Sequence, residues 1–149
     1  MVIMSVVEVQ VVREAGDEVV AAFGRLLPQL SSGAAPLDAA AVAALVASDA
    51  LTVLVARVGG RIVGTLTLVM FALPTGRRAR IEDVVVDDSA RGQGVGAELT
   101  VQALALAKAA GARTVDLTSR PSREAANRLY ERAGFRLRDS NVYRFTFDE

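Results

Sequence analysis

The most constraining stretch of this chain is Val84-Val85-Val86-Asp87-Asp88-Ser89-Ala90-Arg91-Gly92-Gln93-Gly94-Val95-Gly96. A β-branched run, which favours a strand, passes through a short turn into a glycine-rich loop. The loop opens a helical pattern whose inner face is Val95, Leu99, Ala103, Leu106 and Ala110. A strand that feeds a helix through glycines makes an anion cradle. The first turn of a helix leaves several backbone N–H groups without intrahelical partners, and the helix dipole places partial positive charge there. Glycine lets the backbone approach a phosphate closely, and Arg91 adds a formal charge. The plainer reading is a tight strand-to-helix turn that merely needs glycine. Three glycines within five residues, beside an arginine, weigh toward the cradle.

The anion is narrowed by what the loop lacks. No Gly-Lys-Ser/Thr follows, so the Walker pattern is absent. Gly92-Gln93-Gly94-Val95-Gly96-Ala97 does satisfy the dinucleotide fingerprint G-x-G-x-x-G/A, with Asp116 near the distance expected for a ribose-binding acid. Against that reading, Asp87 to Ala90 separate the loop from its strand, and only one βαβ unit follows it, too little for a Rossmann sheet.

Along the rest of the chain, Val6 to Val12 reads as a strand, and Gly16 to Leu30 as a helix with Val19, Ala22, Phe23 and Leu26 on one face. Asp38 is placed to cap an Ala-rich helix through Ala47. Leu51 to Val58, Gly59-Gly60 and Arg61 to Phe71 form a strong hairpin signal. Leu73 to Arg78 is punctuated as a loop, and Arg80 to Val86 is the next strand. A helix from about Gly94 to Ala110 ends at Gly111, and Arg113 to Thr118 is a strand. Ser122 is placed to cap a helix that runs to Ala133, with Gly134 as its C′ glycine. Phe135 to Arg138 and Asn141 to Phe147 are expected as two closing strands. Strands alternate with helices only in the second half, which predicts an α+β, mixed α/β sheet within one domain, residues 1–149.

Composition excludes whole classes of chemistry. The chain has no histidine, cysteine or tryptophan. No Ser-His-Asp triad or Cys-His dyad can be built, and no zinc site of Cys and His ligands. No metal is expected. Seventeen basic residues balance seventeen acidic ones, which argues against nucleic acid as a partner, because phosphate backbones want a basic surplus. Met1-Val2-Ile3-Met4-Ser5 has no basic n-region, and Glu8 breaks the apolar run. The longest apolar stretch, Ile62 to Leu73, is too short to span a bilayer. No membrane partner is expected, and a cytoplasmic location is the default.

The glycine segment and its flanks resemble the GNAT N-acetyltransferase superfamily. Arg91, Gly94 and Gly96 hold the three defining positions of its acyl-CoA-binding motif, R/Q-x-x-G-x-G/A. Ile81 to Val86 is similar to its central fourth strand, and Asn127-Arg128-Leu129-Tyr130-Glu131-Arg132-Ala133-Gly134-Phe135 to its (N)-x-x-(F/Y)-Y-x-x-x-G-F signature. The likeness covers residues 79 to 147 well; residues 1 to 75 fit in element order only. It implies a mixed central sheet of about six or seven strands with a splayed parallel pair, flanked by about four helices. It implies acetyl-CoA as cosubstrate, with backbone groups of Val84 and Val86 pairing with the pantetheine arm as an added strand. N–H groups of Gln93, Gly94, Val95, Gly96 and Ala97 would hold the pyrophosphate, and Asn127 would contact the cofactor arm. Tyr130 would protonate the leaving thiolate, and a strand-four N–H near Val84 would stabilise the oxyanion. The plain alternative for Tyr130 is a core-edge aromatic. Its three-residue spacing from Asn127, on one helix face, favours the functional role.

The expected acceptor is the primary amine of a small molecule, with a protein or peptide acetyltransferase and a non-catalytic acyl-CoA-binding module as alternatives. Strict alternation on the fourth strand puts Glu82, Val84 and Val86 on one face and Ile81, Asp83 and Val85 on the other. A carboxylate inside an apolar central strand needs a partner or water. Glu82 is the candidate base; Asp83, water, or no base at all stay open. Arg77, Arg78 and Arg80 lie where an acidic acceptor would bind, or are solvated loop charges; Arg120, Arg123 and Arg128 offer a partner for the 3′-phosphate of CoA or a charged surface. Asn141-Val142-Tyr143-Arg144 falls where the family often builds its dimer or its acceptor wall, so a homodimer stays open.

Overall fold

The computed structural model describes residues 6–147; Met1–Ser5, on which the expectation of no targeting segment partly rested, lie outside the described residues. The elements run β1 (Val7–Val11), α1 (Asp17–Leu30), α2 (Ala39–Ala47), β2 (Leu51–Val58), β3 (Arg61–Leu73), β4 (Gly76–Val86), a 3₁₀ turn (Asp88–Ala90), α3 (Val95–Ala109), β5 (Thr114–Asp116) and α4 (Glu124–Arg132). The strands form one sheet in the order β1-β2-β3-β4-β5. The first three pairings are antiparallel and β4–β5 is parallel. This is the mixed α+β architecture expected, with four helices.

Local chemistry accounts for most of these elements. Gly59 and Gly60 both take positive φ (59° and 80°), which gives the β2–β3 hairpin a two-residue turn that suits strand twist. Asp38 caps α2, its carboxylate accepting from the Ala41 N–H at 2.8 Å. The stretch from Leu73 to Arg78, expected as a loop, is mostly strand. Only Pro74 and Thr75 lie outside β3 and β4, and Phe71 pairs with Arg78. The arginines hid an alternation: Arg78 and Arg80 are half-buried and alternate with the buried Ala79 and Ile81. Ser122 does not cap α4, which starts at Glu124 with Arg123 in the N-cap position and no side-chain cap.

Each face of the sheet has its own core. On one face Leu54, Leu66, Leu68, Ala79 and Ile81 pack against Val95, Leu99 and Ala103 of α3. On the other, Val53, Val55, Ile62 and Val85 pack against Phe23 and Leu26 of α1 and Val42 of α2.

The two closing strands expected at Phe135–Arg138 and Asn141–Phe147 do not form: residues 136–147 hold no strand. The described residues therefore contain five strands rather than six or seven. A strand is defined by its partner, and among the described residues none pairs with this segment. Leu137, Val142, Tyr143, Phe145 and Phe147 are all exposed.

Candidate functional site

The parallel pair creates the opening at the centre of the molecule. β4 and β5 are paired only from Arg78↔Thr114 to Arg80↔Asp116, yet β4 continues to Val86. Beyond Arg80 its inner edge has no β5 partner, which leaves a slot with unused backbone groups along Glu82–Val86. Arg80 bridges the mouth, Nη2 donating to Thr118 Oγ1 at 3.2 Å.

A bulge then re-aims the side chains of β4. Thr65 pairs with Val85 and Thr67 with Glu82, so three steps on β4 oppose two on β3. The extra residue is Asp83, which at φ 51° is the one non-glycine residue with positive φ among the described residues. Aspartate tolerates that region better than a bulky or branched residue. The bulge changes the phase of the strand and corrects the expected alternation. Ile81, Val84 and Val86 face the α3 core, whereas Glu82 joins the face of Val85, toward α1 and α2. Glu82 and Asp83 line a pocket of about 310 Å³ with Phe23, Val53, Thr65 and Thr67. The Glu82 carboxylate lies 3.1 Å from Arg80 Nε.

At the far end of β4 the loop to α3 is fixed from beneath. Asp87 is buried; its Oδ1 accepts from both the N–H and the hydroxyl of Ser89 at 3.0 Å, and Arg25 Nη1 lies 3.7 Å from Oδ2. The Ser89 backbone bond, opposed by burial and helped by the Ser89 hydroxyl and the charges of Arg61 and Arg25, holds this carboxyl below its ordinary range. Gln29 Oε1 accepts from the Asp88 N–H at 3.0 Å, so α1 grips the same turn twice. Above this base the loop is open. Gly92 and Gly94 take φ 79° and 81°, and a β-carbon at either would meet nothing within 4 Å. Gly94 is the N-cap of α3 and no side chain caps the helix, so its first N–H groups face the opening. Arg91 sits at the exposed rim, its Nε 2.9 Å from Asp88 Oδ1.

Two glycines bring the elements together. A β-carbon on Gly96 would lie 3.2 Å from Leu129 Cδ1 and 3.8 Å from Val86 Cγ2, so β4, α3 and α4 meet there. Gly64, inside β3, makes the tighter of the two contacts. Its β-carbon would stand 2.8 Å from Val95 Cγ1, so only glycine lets the start of α3 sit this close to β3. A lone glycine inside a strand was the available signal.

On α4, Tyr130 is buried, with its ring edge-on to Phe135 at 5.8 Å. Burial pushes its phenol up, against a smaller opposing effect of the Arg123 charge. Asn127 Nδ2 donates to the Arg120 carbonyl at 3.0 Å and the Pro121 carbonyl at 3.5 Å, holding the loop between β5 and α4. The buried hydroxyl of Ser119 in that loop has no hydrogen-bond partner among the described residues, a feature that no sequence pattern signalled. Among the same residues there is no cluster of three or more acids that could hold a metal, and no helix is long and apolar enough to cross a membrane.

Comparisons with known proteins agree with this architecture. A search of curated sequences gives no match. Among solved structures, an acetyltransferase of Trypanosoma brucei is similar at 28% identity and TM-score 0.77, covering 94% of this chain and 99% of that one. A putative acetyltransferase from Agrobacterium tumefaciens is similar at 26% identity and TM-score 0.83, over 93% and 99%. An aminoglycoside acetyltransferase from an uncultured soil metagenomic sample shares the fold at 18% identity and TM-score 0.82, over 96% and 97%. Residues 14–135 match the acetyltransferase (GNAT) family, and the chain belongs to it.

Proposed function

We propose that this chain is an acetyl-CoA-dependent N-acetyltransferase that modifies the primary amine of a small molecule. The observation that carries the reading is the convergence on one half-strand: the bulge at Asp83, the unpaired edge of β4 and the open start of α3 lie in succession along it. The residues fit the cosubstrate. The loop is open at Gly92 and Gly94, the first N–H groups of α3 are free to bind an anion, and Ser119 offers an unpartnered hydroxyl.

Acetyl-CoA supplies an activated acyl group; the chain binds, orients and moves protons. Val84 and Val86 offer backbone groups to the pantetheine arm. Gln93, Gly94, Val95, Gly96 and Ala97 hold the pyrophosphate with main-chain N–H groups, and Arg91 lends charge at the rim. Asn127 has its Nδ2 committed to the loop carbonyls, which leaves Oδ1 for the cofactor arm. Glu82, or a water it orders, accepts the proton of the attacking amine. A bulge N–H near Val84 stabilises the oxyanion, and Tyr130 protonates the departing thiolate. The tyrosine suits that task because burial keeps it protonated. With no cysteine in the chain there is no acetyl-cysteine step, and amine and thioester meet in a ternary complex.

Thermal shift with CoA, followed by free-thiol release over a panel of amines, amino acids and peptides, tests this. Tyr130→Phe is expected to lower kcat by about a hundredfold or more while acetyl-CoA binding changes little. Unchanged turnover would remove Tyr130 from the mechanism. CoA binding with no turnover on any acceptor would instead mark a non-catalytic module, and turnover on peptides alone a protein acetyltransferase.

A further inference from the structure

The pocket beside the bulge carries information about the acceptor. Its walls come from both helices and the sheet: Phe23 and Leu27 of α1, Leu45 of α2, and Val53 and Val69 of β2 and β3. Its charged lining is confined to Glu82 and Asp83, neighbours in sequence, and Glu82 is already paired with Arg80. That leaves roughly one net negative charge at the bulge, and the rest of the lining, apolar but for Thr65 and Thr67, offers no further carboxylate. A single ammonium fits there. A second ammonium further along the acceptor would be pressed against leucine and valine without a counter-charge, which is costly. From this we infer that the acceptor is a monoamine on an apolar body, aromatic or branched aliphatic, and not a polycation. The inference rests on the acetyltransferase reading above.

The test measures thiol release at saturating acetyl-CoA with 2-phenylethylamine, spermidine and kanamycin. The apolar monoamine should exceed both polycations in kcat/KM by tenfold or more. Leu45→Glu, at the partly exposed rim, should shrink that ratio severalfold without changing acetyl-CoA affinity. Faster turnover of either polycation overturns the inference and leaves the acetyltransferase reading intact. If no amine turns over, direct calorimetric binding of 2-phenylethylamine decides. Saturable binding weakened by Leu45→Glu supports the pocket's chemistry while the catalytic reading fails; no binding overturns both.

Discussion

Gly64→Ala is a small perturbation with a large expected effect. The added methyl would stand 2.8 Å from Val95 Cγ1, 3.2 Å from Leu99 Cδ1 and 3.3 Å from the Val85 carbonyl oxygen, where ordinary contact begins near 3.4 Å. Two of these atoms belong to α3 and one to the β4 backbone, so helix and strand must part by roughly half an ångström. Overpacking of this kind costs about 1–3 kcal/mol. Removing a glycine from a strand returns about 0.5–1 kcal/mol, so the net loss is about 1–2 kcal/mol. For a chain near 150 residues that lowers Tm by about 2–8 °C. Urea unfolding followed by circular dichroism should show a lower midpoint at unchanged slope. Because Val95 opens α3, acetyl-CoA affinity should fall in parallel. A midpoint equal to or above the parent's would mean that α3 is not clamped on β3 by this glycine, and the account of how the loop is positioned would fail.

Three further outcomes are expected. Gly94→Asp, at φ 81° and with a negative charge at the cradle, should abolish CoA binding in calorimetry while circular dichroism stays native; normal affinity would refute the phosphate cradle. Asp87→Ala should cost about 1 kcal/mol at pH 7 through loss of the cap on the Asp88–Ala90 turn. The Asp87 carboxyl is held low in the folded chain, so its stabilisation is present above the unfolded carboxylate range and fades as pH falls through the folded value; parent and variant should therefore converge in acid, and a pH-independent gap would contradict this. In Tyr143→Phe, which leaves Tyr130 as the sole tyrosine, the phenolate absorbance should emerge above the ordinary value of about 10. The burial raises the folded value, so stability from it holds below the unfolded pKa and is lost as pH rises through the folded one. Emergence at or below the ordinary value would mean the ring is wetter than it looks.

What was readable in the sequence was local. The Asp38 cap, the Gly59-Gly60 turn and the glycine loop each depend on a few consecutive residues whose chemistry admits one backbone solution. The bulge at Asp83 was not readable, because period-two reasoning has no place for an odd residue, and it moved Glu82 to the opposite face from the one expected. Arg77 and Arg78 read as loop because their charge masked the strand alternation that buries Ala79 beside them. The closing segment has strand chemistry throughout, but pairing is a property of a neighbour, and residues 136–147 pair with no strand among the described residues. Asn127 is expected as a cofactor contact; what the structure shows is its amide holding the loop at Arg120 and Pro121.

The bulge has one more consequence. Ile81 and Val84 both face α3 although three positions separate them. A chain lacking Asp83 would place the two in perfect register, with Glu82 and Val85 still on the opposite face and the ladder to β3 unbroken. The odd residue is therefore separable from the architecture. Sheet, cores and helices all fit a strand one residue shorter, and what that shorter strand would lose is the exposed main chain at Asp83–Val84.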